Sequence, residues 1–459
     1  AALEAGDLET ARGAIGPALA AAPDDPSTLH AAGRLALALR RPADAVQLLQ
    51  RAAPRLGLAA AWSDLGRGLN NLRRLQDAEA AFRRALELDP ADAGLHDRLG
   101  HVLRSRNRID EALEAFRKAA ELDPGRVRAW RNLGATLLAA DQPEEARAAL
   151  LRARELDPDD VRVREFLAAS AHKAGDLATA TAEYRALLGE HPELADAWAN
   201  LGMALQDAGD LDGSVEAYRA AVARQPADSV TRNRLGDALL AAGRPGEAMA
   251  SADRCLEADP GNPGAIAAQA VALVDLDREA EARDLLAMNR VVRAVPLAPP
   301  PGYASLGDFN RDLVDFVAGH PSRRYEPVGH ATRKGSHTRD LLGGDPGPVG
   351  LLADAIRTAV TGYIGSVSLP ARHPFPGPVP ADHRLVIWAV IMDQYGHQLP
   401  HIHPAAWLSG VYYAELPEDV GVQSGHEGWI EFGQPPDELV HGAAHPVQLF
   451  RPAEGTLFL

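Results

Sequence analysis

The chain has 459 residues, of which 46% are hydrophobic and 24% are charged, and its formal net charge is -16 at pH 7. This composition is ordinary for a soluble protein of more than one domain. The acidic balance argues against binding to nucleic acid or to anionic membranes, and no run of about 20 apolar residues could span a bilayer. The single cysteine, Cys255, excludes an intramolecular disulfide and predicts a cytoplasmic, reducing setting.

A period of 34 residues runs through the first two thirds of the chain. Prolines recur at this spacing, and the dipeptide Leu-Gly keeps the same period at residues 65–66, 99–100, 133–134, 201–202 and 235–236. The prolines are Pro90, Pro124, Pro158, Pro192, Pro226 and Pro260. A repeat of this length with this punctuation predicts stacked helix–turn–helix units.

One unit, around residues 130–158, shows why the pattern predicts two helices. Gly134 is small enough for the second helix to approach the first closely, and Leu150 supplies bulk on the packing face. We expect Asp141 to cap the second helix and Pro143 to lie in its first turn. Pro158 ends this helix, because proline cannot continue the hydrogen-bond ladder.

The order Trp, Leu-Gly, Ala, aromatic residue, Pro resembles the tetratricopeptide repeat (TPR). The match is clear over about residues 59–262, and looser units extend the predicted helical array to residues 1–290. The segment at residues 5–8 is similar to residues 174–177 in mid-repeat, so we expect the array to continue before residue 1. The resemblance implies an all-α superhelix whose concave face consists of first helices.

Side chains just before the Leu-Gly positions are candidates for binding an extended peptide on that face. They are Arg98, Asn132, Asn200 and Arg234. The alternative is that they are solvated helix residues, and that the array serves to form a homodimer or to place the next domain.

The composition changes after residue 290. A stiff proline-rich connector covers residues 295–302, and eleven of the sixteen histidines lie between His320 and His445. Residues 385–391, 408–413 and 429–432 have strand character, and helices are predicted near 309–318 and 349–364. Short strands separated by loops predict a β-sandwich or jelly roll in residues 291–459, with the helices packed on one sheet.

His401 and His403 are the candidate metal ligands. Residues two apart on a strand face the same way, so both imidazoles can reach one ion, and imidazole suits iron, zinc, nickel or copper. His397 precedes them on the predicted turn and is the poorer candidate. The alternative is that His401 and His403 are polar strand residues bonded to solvent or backbone.

The motif around these histidines resembles a family of 2-oxoglutarate- and Fe(II)-dependent oxygenases that is often fused to TPR arrays in bacteria. The similar residues are Trp388, Gly396, the run His401-Ile402-His403-Pro404, residues 408–413 and residues 428–432. The resemblance covers about residues 300–459. It implies a double-stranded β-helix, Fe(II) with 2-oxoglutarate as co-substrate, and His401 and His403 as iron ligands.

Two differences from the wider superfamily concern the ligands of the metal. The superfamily usually has His-x-Asp or His-x-Glu where this chain has His401 and His403, and a distal histidine follows later. That histidine and a basic residue for 2-oxoglutarate come after a strand similar to residues 454–459, so we expect the domain to continue past Leu459. His426, His441 and His445 fall in predicted loops before that strand.

These features predict a TPR superhelix followed by a jelly-roll, cupin-like domain with flanking helices. The first functional hypothesis is an oxygenase, specifically a hydroxylase, whose TPR array recognises a protein or peptide. The second is a non-catalytic TPR adaptor with a degenerate jelly-roll domain. A third is a barrel with a non-redox metal site, which would hold zinc or nickel.

Overall fold

The computed structural model describes residues 7–326, 331–369, 373, 380, 383–401, 403, 406–417, 420, 426, 428–439 and 445–459. It forms two compact units, Ala1–Glu193 and Leu194–Leu459. The second unit contains both the last helical repeats and the C-terminal β-rich region. The domain boundary near residue 290 stays a prediction from the sequence.

The first unit consists of paired antiparallel helices, as the 34-residue period predicts. From residue 59 onward each pair has a first helix of 13 residues and a second of 14. The helices are α1 (Leu8–Ala21), α2 (Pro26–Ala38), α3 (Pro42–Leu56), α4 (Ala59–Asn71), α5 (Leu75–Leu88), α6 (Ala93–Ser105), α7 (Ile109–Leu122), α8 (Val127–Ala139), α9 (Pro143–Leu156), α10 (Val161–Lys173) and α11 (Leu177–Glu190).

The glycine of the Leu-Gly dipeptide sets the distance between the helices of a pair. A Cβ atom added to Gly134 would lie 2.5 Å from Cγ of Leu150, and one added to Gly100 would lie 2.8 Å from the Phe116 ring. Phe116 and Leu150 are completely buried. The close approach predicted at Gly134 is therefore confirmed.

The turn between the two helices of a repeat needs a residue with left-handed backbone. This residue recurs every 34 positions, at Arg73, Asn107, Asp141, Gly175, Gly209, Gly243 and Asp277, with φ between 59° and 80°. The prediction that Asp141 caps the following helix is wrong, because Asp141 occupies this turn and Gln142 is the N-cap residue. Instead, the Asp141 carboxylate accepts a hydrogen bond from Lys173 at 2.9 Å.

The second unit begins with three more helix pairs. A short helix and the C-terminal region follow, and the two helices predicted in that region are confirmed as α19 and α20. The helices are α12 (Ala195–Asp207), α13 (Leu211–Arg224), α14 (Ser229–Ala241), α15 (Pro245–Ala258), α16 (Pro263–Asp275), α17 (Glu279–Leu286), α18 (Met288–Val291), α19 (Leu306–Ala318) and α20 (Pro348–Ser366). None of the helices in the described residues is both long and apolar enough to cross a membrane.

Among the described residues, the C-terminal region forms three small antiparallel sheets, which give it a β-rich character. The strands are β1 (Ala294–Pro296), β2 (Arg324–Tyr325), β3 (Thr332–His337), β4 (Val390–Gln398), β5 (Val411–Tyr412), β6 (Ile430–Phe432), β7 (Gln448–Phe450) and β8 (Thr456–Phe458). The sheet orders are β1-β8-β5, β2-β3-β4 and β6-β7. A β-rich domain with flanking helices is thus confirmed, and the double-stranded β-helix stays a prediction.

Apolar side chains of α19 and α20 form the core beside these sheets. Phe309 and Leu313 of α19 are buried together with Val349 and Leu352 of α20. Tyr412 of β5 packs against this cluster, and its hydroxyl donates to Asn310 at 2.6 Å. These contacts fix β5, and with it the end of the segment that carries His401 and His403.

Within the second unit, the C-terminal region also contacts the last repeats. A 3₁₀ turn at Asp437–Leu439 lies against α14, and Leu439 packs against the buried cluster of the repeat helices. His373 hydrogen-bonds the carbonyl oxygen of Asp284 at 3.1 Å, just before the end of α17. The last repeats therefore form part of the support of the β-rich region.

Candidate metal centre

His401 and His403 lie close together in the connection between β4 and β5. Their ring centroids are 5.0 Å apart and their planes are inclined by 46°. The prediction that both residues stand on a strand is wrong, because β4 ends at Gln398. Both histidines lie outside the strands, in the segment after β4, and the amide of Ala406 donates to the carbonyl oxygen of His403 at 3.0 Å.

Each imidazole makes a hydrogen bond through Nδ1, and for His401 this bond leaves Nε2 as the nitrogen that is free to bind a metal. Nδ1 of His401 lies 2.8 Å from the carbonyl oxygen of Leu399, and a carbonyl can only accept, so this nitrogen carries the proton. Nδ1 of His403 lies 2.7 Å from Oγ of Ser409. A hydrogen bond from Nδ1 to a protein oxygen is the usual way in which proteins orient a metal-binding histidine.

The surroundings of His403 favour its neutral form more strongly than water favours the neutral form of an exposed histidine. His403 is half-buried, and the Trp388 ring meets it edge-on with the centroids 5.3 Å apart. Burial, and then the neighbouring His401, lower the pKa of His403 below its usual value. Because a metal binds the neutral imidazole, a lowered pKa extends metal binding to lower pH.

The described residues supply two neighbouring imidazoles but not the third side chain that a three-ligand metal site needs. Among them, no group of three histidine, cysteine or acidic side chains could hold a metal ion. Glu431, a candidate for a spare carboxylate, lies exposed on β6. The His426 ring packs against Trp429 at an inclination of 59°, with the ring centroids 4.6 Å apart. Ile402, Pro404 and His441 lie outside the described residues.

The four residues predicted to bind peptide are all half-buried on first helices of the repeats. The amide of Asn132 donates to Asp97 at 2.6 Å, and Arg234 donates to the sulfur of Met203 at 3.0 Å. Asn200 lies on α12, and Arg98 lies on α6 and borders a cleft. Peptide binding by these residues stays a prediction.

Sequence reasoning did not identify the residues that support the two histidines. Ser409 lies in a segment with strand character, and the sequence gives no sign that its hydroxyl meets His403. His337 of β3 stacks on the Trp388 ring, with the centroids 6.1 Å apart, although it is 51 positions away in sequence. Such contacts follow from the path of the chain and not from a local motif.

Comparison with known families agrees with the two parts of this chain. Tetratricopeptide repeat models match residues 1–57, 30–93, 103–169, 167–229 and 199–263. Residues 386–459 match the model described as "Putative 2OG-Fe(II) oxygenase". The chain therefore carries tetratricopeptide repeats over its N-terminal region and, at its C-terminus, a domain of this oxygenase family.

Several solved structures are similar to part of the chain. The TPR protein YrrB, described as having an unusual peptide-binding site, is 24% identical over 40% of this chain and 96% of its own, with a TM-score of 0.35. A tetratricopeptide repeat protein from Parabacteroides merdae is 13% identical over 51% of this chain and 93% of its own, with a TM-score of 0.45. None of the curated proteins matches this chain.

Proposed function

We propose that the protein is an Fe(II)- and 2-oxoglutarate-dependent oxygenase whose TPR array recognises a protein or peptide in the cytoplasm. One observation carries the proposal. Within the segment that matches the oxygenase family, two imidazole rings lie with their centroids 5.0 Å apart, and each makes its hydrogen bond through Nδ1. The single cysteine supports a reducing compartment, where Fe(II) is stable.

His401 and His403 fit two positions of an iron site. Bound Fe(II) with 2-oxoglutarate would supply the oxidising chemistry of a hydroxylase. The Leu399 carbonyl would hold His401 in the tautomer that binds a metal through Nε2, Ser409 would orient the His403 ring, and Trp388 would shield His403 from water. The third protein ligand is not among the residues that the structure describes.

Metal binding and turnover test the proposal separately. Co(II) is added anaerobically to the full chain as an absorbing substitute for Fe(II), and succinate release is measured with Fe(II), 2-oxoglutarate and oxygen. His401→Ala and His403→Ala should each weaken Co(II) binding by about 10-fold or more and abolish succinate release. The matched control is His397→Ala, which removes an exposed histidine from the end of β4. Unchanged Co(II) binding in His401→Ala would contradict the assignment.

The second candidate function is a non-catalytic TPR adaptor. The observation in its favour is that position 403 is a histidine where the superfamily usually has a carboxylate. This substitution leaves the site with one negative charge fewer. Normal Co(II) binding without succinate release, at any 2-oxoglutarate concentration, would favour the adaptor.

A further inference from the structure

The extended segment that leads into the candidate metal centre is apolar on both of its faces. Residues 385–392 read Leu-Val-Ile-Trp-Ala-Val-Ile-Met, a near-continuous apolar run that is typical of a strand covered on two sides. On one face, Ile387, Ala389 and Ile391 pack against the buried cluster of α19 and α20. The even-numbered side chains lie on the opposite face, because successive residues of an extended chain alternate.

This opposite face carries a line of apolar side chains, which we call the apolar stripe. It consists of Val386, Trp388, Val390 and Met392. Val386 is 43% exposed, Trp388 39% and Met392 47%, so three of the four members are open to solvent. A contiguous group of exposed apolar side chains on a soluble protein marks a place where a ligand or partner binds.

The apolar stripe is continuous with the two candidate metal ligands. The Trp388 ring meets the His403 ring edge-on with the centroids 5.3 Å apart, and the His401 ring lies 5.0 Å from that of His403. His337, which pairs with Val390 in the β3–β4 ladder, stacks on Trp388 at an inclination of 17°. Two imidazole rings therefore hold Trp388 in place, and a group bound on the stripe lies beside the candidate metal centre.

We propose that the apolar stripe binds large apolar side chains of the protein or peptide on which the oxygenase acts, and that Trp388 is a specificity-determining residue. The inference rests on the proposed function and names the chemistry of its substrate. Apart from the indole N–H of Trp388, the side chains of the stripe offer no hydrogen-bonding group. A polar side chain placed there loses its bonds to water without replacement, whereas an apolar one gains by leaving water.

The spacing and the position of the stripe both favour a substrate over a second copy of this chain. Alternate side chains of an extended chain are about 6.6 Å apart, so an extended substrate with apolar residues at alternate positions can follow the stripe. A second copy seated on the stripe would cover Trp388 and with it the approach to His403. A metal centre that acts on a substrate has to keep this approach open.

The test follows the methyl group of Met392 by NMR in the full chain labelled with ¹³C-methyl methionine. The chain has four methionines; Met203, Met249 and Met288 lie on helices α12, α15 and α18, and only Met392 belongs to the stripe. The variant Met392→Leu assigns its signal. The probe is a capped peptide of about six residues with leucine at two alternate positions and serine elsewhere. Its counterpart has asparagine, which is similar to leucine in shape, at the same two positions.

The leucine peptide should shift the Met392 signal and leave the other three signals in place. It should bind at least about 10-fold more tightly than the asparagine peptide, because only leucine gains by leaving water. Equal binding of the two peptides would overturn the proposal. A shift confined to Met203 or Met249 would overturn it as well, because the peptide would then lie on the helical repeats.

Two variants locate the binding surface. Trp388→Ala and Val386→Asn should each weaken binding of the leucine peptide by about 5-fold or more. The matched control is Val447→Asn, the same substitution at a valine that is 41% exposed and lies before β7, outside the stripe. It should leave binding within about 2-fold, and equal losses in the two valine variants would refute the assignment. If Trp388→Ala does not fold by circular dichroism, the two valine variants still decide.

Sedimentation velocity separates a substrate surface from a contact between copies. The unaltered chain and Val386→Asn should have the same oligomeric state, and a dimer that Val386→Asn dissociates would refute substrate binding on the stripe. The peptides are tested without metal, so the two proposals can fail separately. Succinate release that requires His401, without binding of the leucine peptide at Met392, would overturn this inference alone. Binding at Met392 without succinate release would overturn the oxygenase alone.

Discussion

Substitution of the repeat glycines by alanine tests how the helices of a pair are held together. Gly100 and Gly236 occupy the same place in their repeats, in the middle of first helices. A Cβ at Gly100 would lie 2.8 Å from the Phe116 ring, whereas the nearest atom to a Cβ at Gly236 is 3.6 Å away, on Ala268. We expect Gly100→Ala to destabilise its repeat and Gly236→Ala to be neutral or stabilising.

The magnitude follows from two terms. Alanine is favoured over glycine inside a helix by about 1 kcal/mol, and this gain is common to both sites. Carbon atoms are normally at least about 3.5 Å apart, so the Phe116 ring must move by about 0.7 Å in a core that is fully buried. Overpacking of this kind costs about 1–3 kcal/mol. The two variants should therefore differ by about 1–3 kcal/mol in the free energy of local unfolding.

Amide hydrogen exchange gives the local readout that this comparison needs. Protection in α6 and α7 should fall in Gly100→Ala, and protection in α14 and α15 should be kept or rise in Gly236→Ala. Exchange is preferred to one melting temperature, because repeat arrays do not always unfold in a single step. Equal changes in the two variants would refute the argument that Phe116 limits the space at Gly100.

Three further predictions concern buried or half-buried polar groups. Burial favours a raised pKa for Glu79, but its hydrogen bonds to Arg108 and Arg106 outweigh burial and hold the pKa below its usual value. The ionised Glu79 therefore stabilises the fold fully above about pH 4.5, and this stabilisation is lost as the pH falls through the lowered pKa. Glu79→Gln should reduce the free energy of unfolding, measured in urea at pH 7, by about 1–3 kcal/mol. Burial raises the pKa of Asp237 to about 6, so the folded protein loses stability as the pH rises from about 4 to about 6. Asp237→Asn should flatten this decline and stabilise the protein by up to about 3 kcal/mol at pH 7. Tyr412→Phe removes a hydrogen bond to Asn310 and should cost about 1–2 kcal/mol, whereas an unchanged urea midpoint would show that water replaces the hydroxyl.

The helical repeats could be predicted from the sequence because each one repeats the same local signals. Leu-Gly, the packing residue and the proline recur every 34 positions. Helix α9 begins at Pro143, which was predicted to lie in its first turn, and ends at Leu156, two residues before the predicted terminator Pro158. What the pattern did not reveal is the left-handed turn, because residues as different as Arg73 and Asp141 occupy it. The turn depends on backbone geometry, and no single residue type marks it.

The β-rich region was harder to predict, because its strands are short and depend on distant partners. Residues 385–391 have strand character, yet β4 runs from Val390 to Gln398. The residues just before β4 pair irregularly: the carbonyl oxygen of Ala389 accepts from the amide of Thr338 at 3.0 Å, but the amide of Ala389 donates to Oγ1 of Thr338 at 2.9 Å and not to a backbone carbonyl. The same dependence explains why the sequence identified His401 and His403 as a pair but placed them on a strand.

The pairing of β1 with β8 has a consequence for the order in which the chain folds. Ala294–Pro296 forms a ladder with Thr456–Phe458, and Arg293 and Leu459 exchange two backbone hydrogen bonds of 2.9 Å. During synthesis, the helical repeats can fold as they emerge from the ribosome, because their contacts are local. The β1 strand must wait until about 160 further residues have been translated, with its backbone groups exposed in the meantime. A nascent chain arrested before residue 456 should therefore bind chaperones through this unpaired strand.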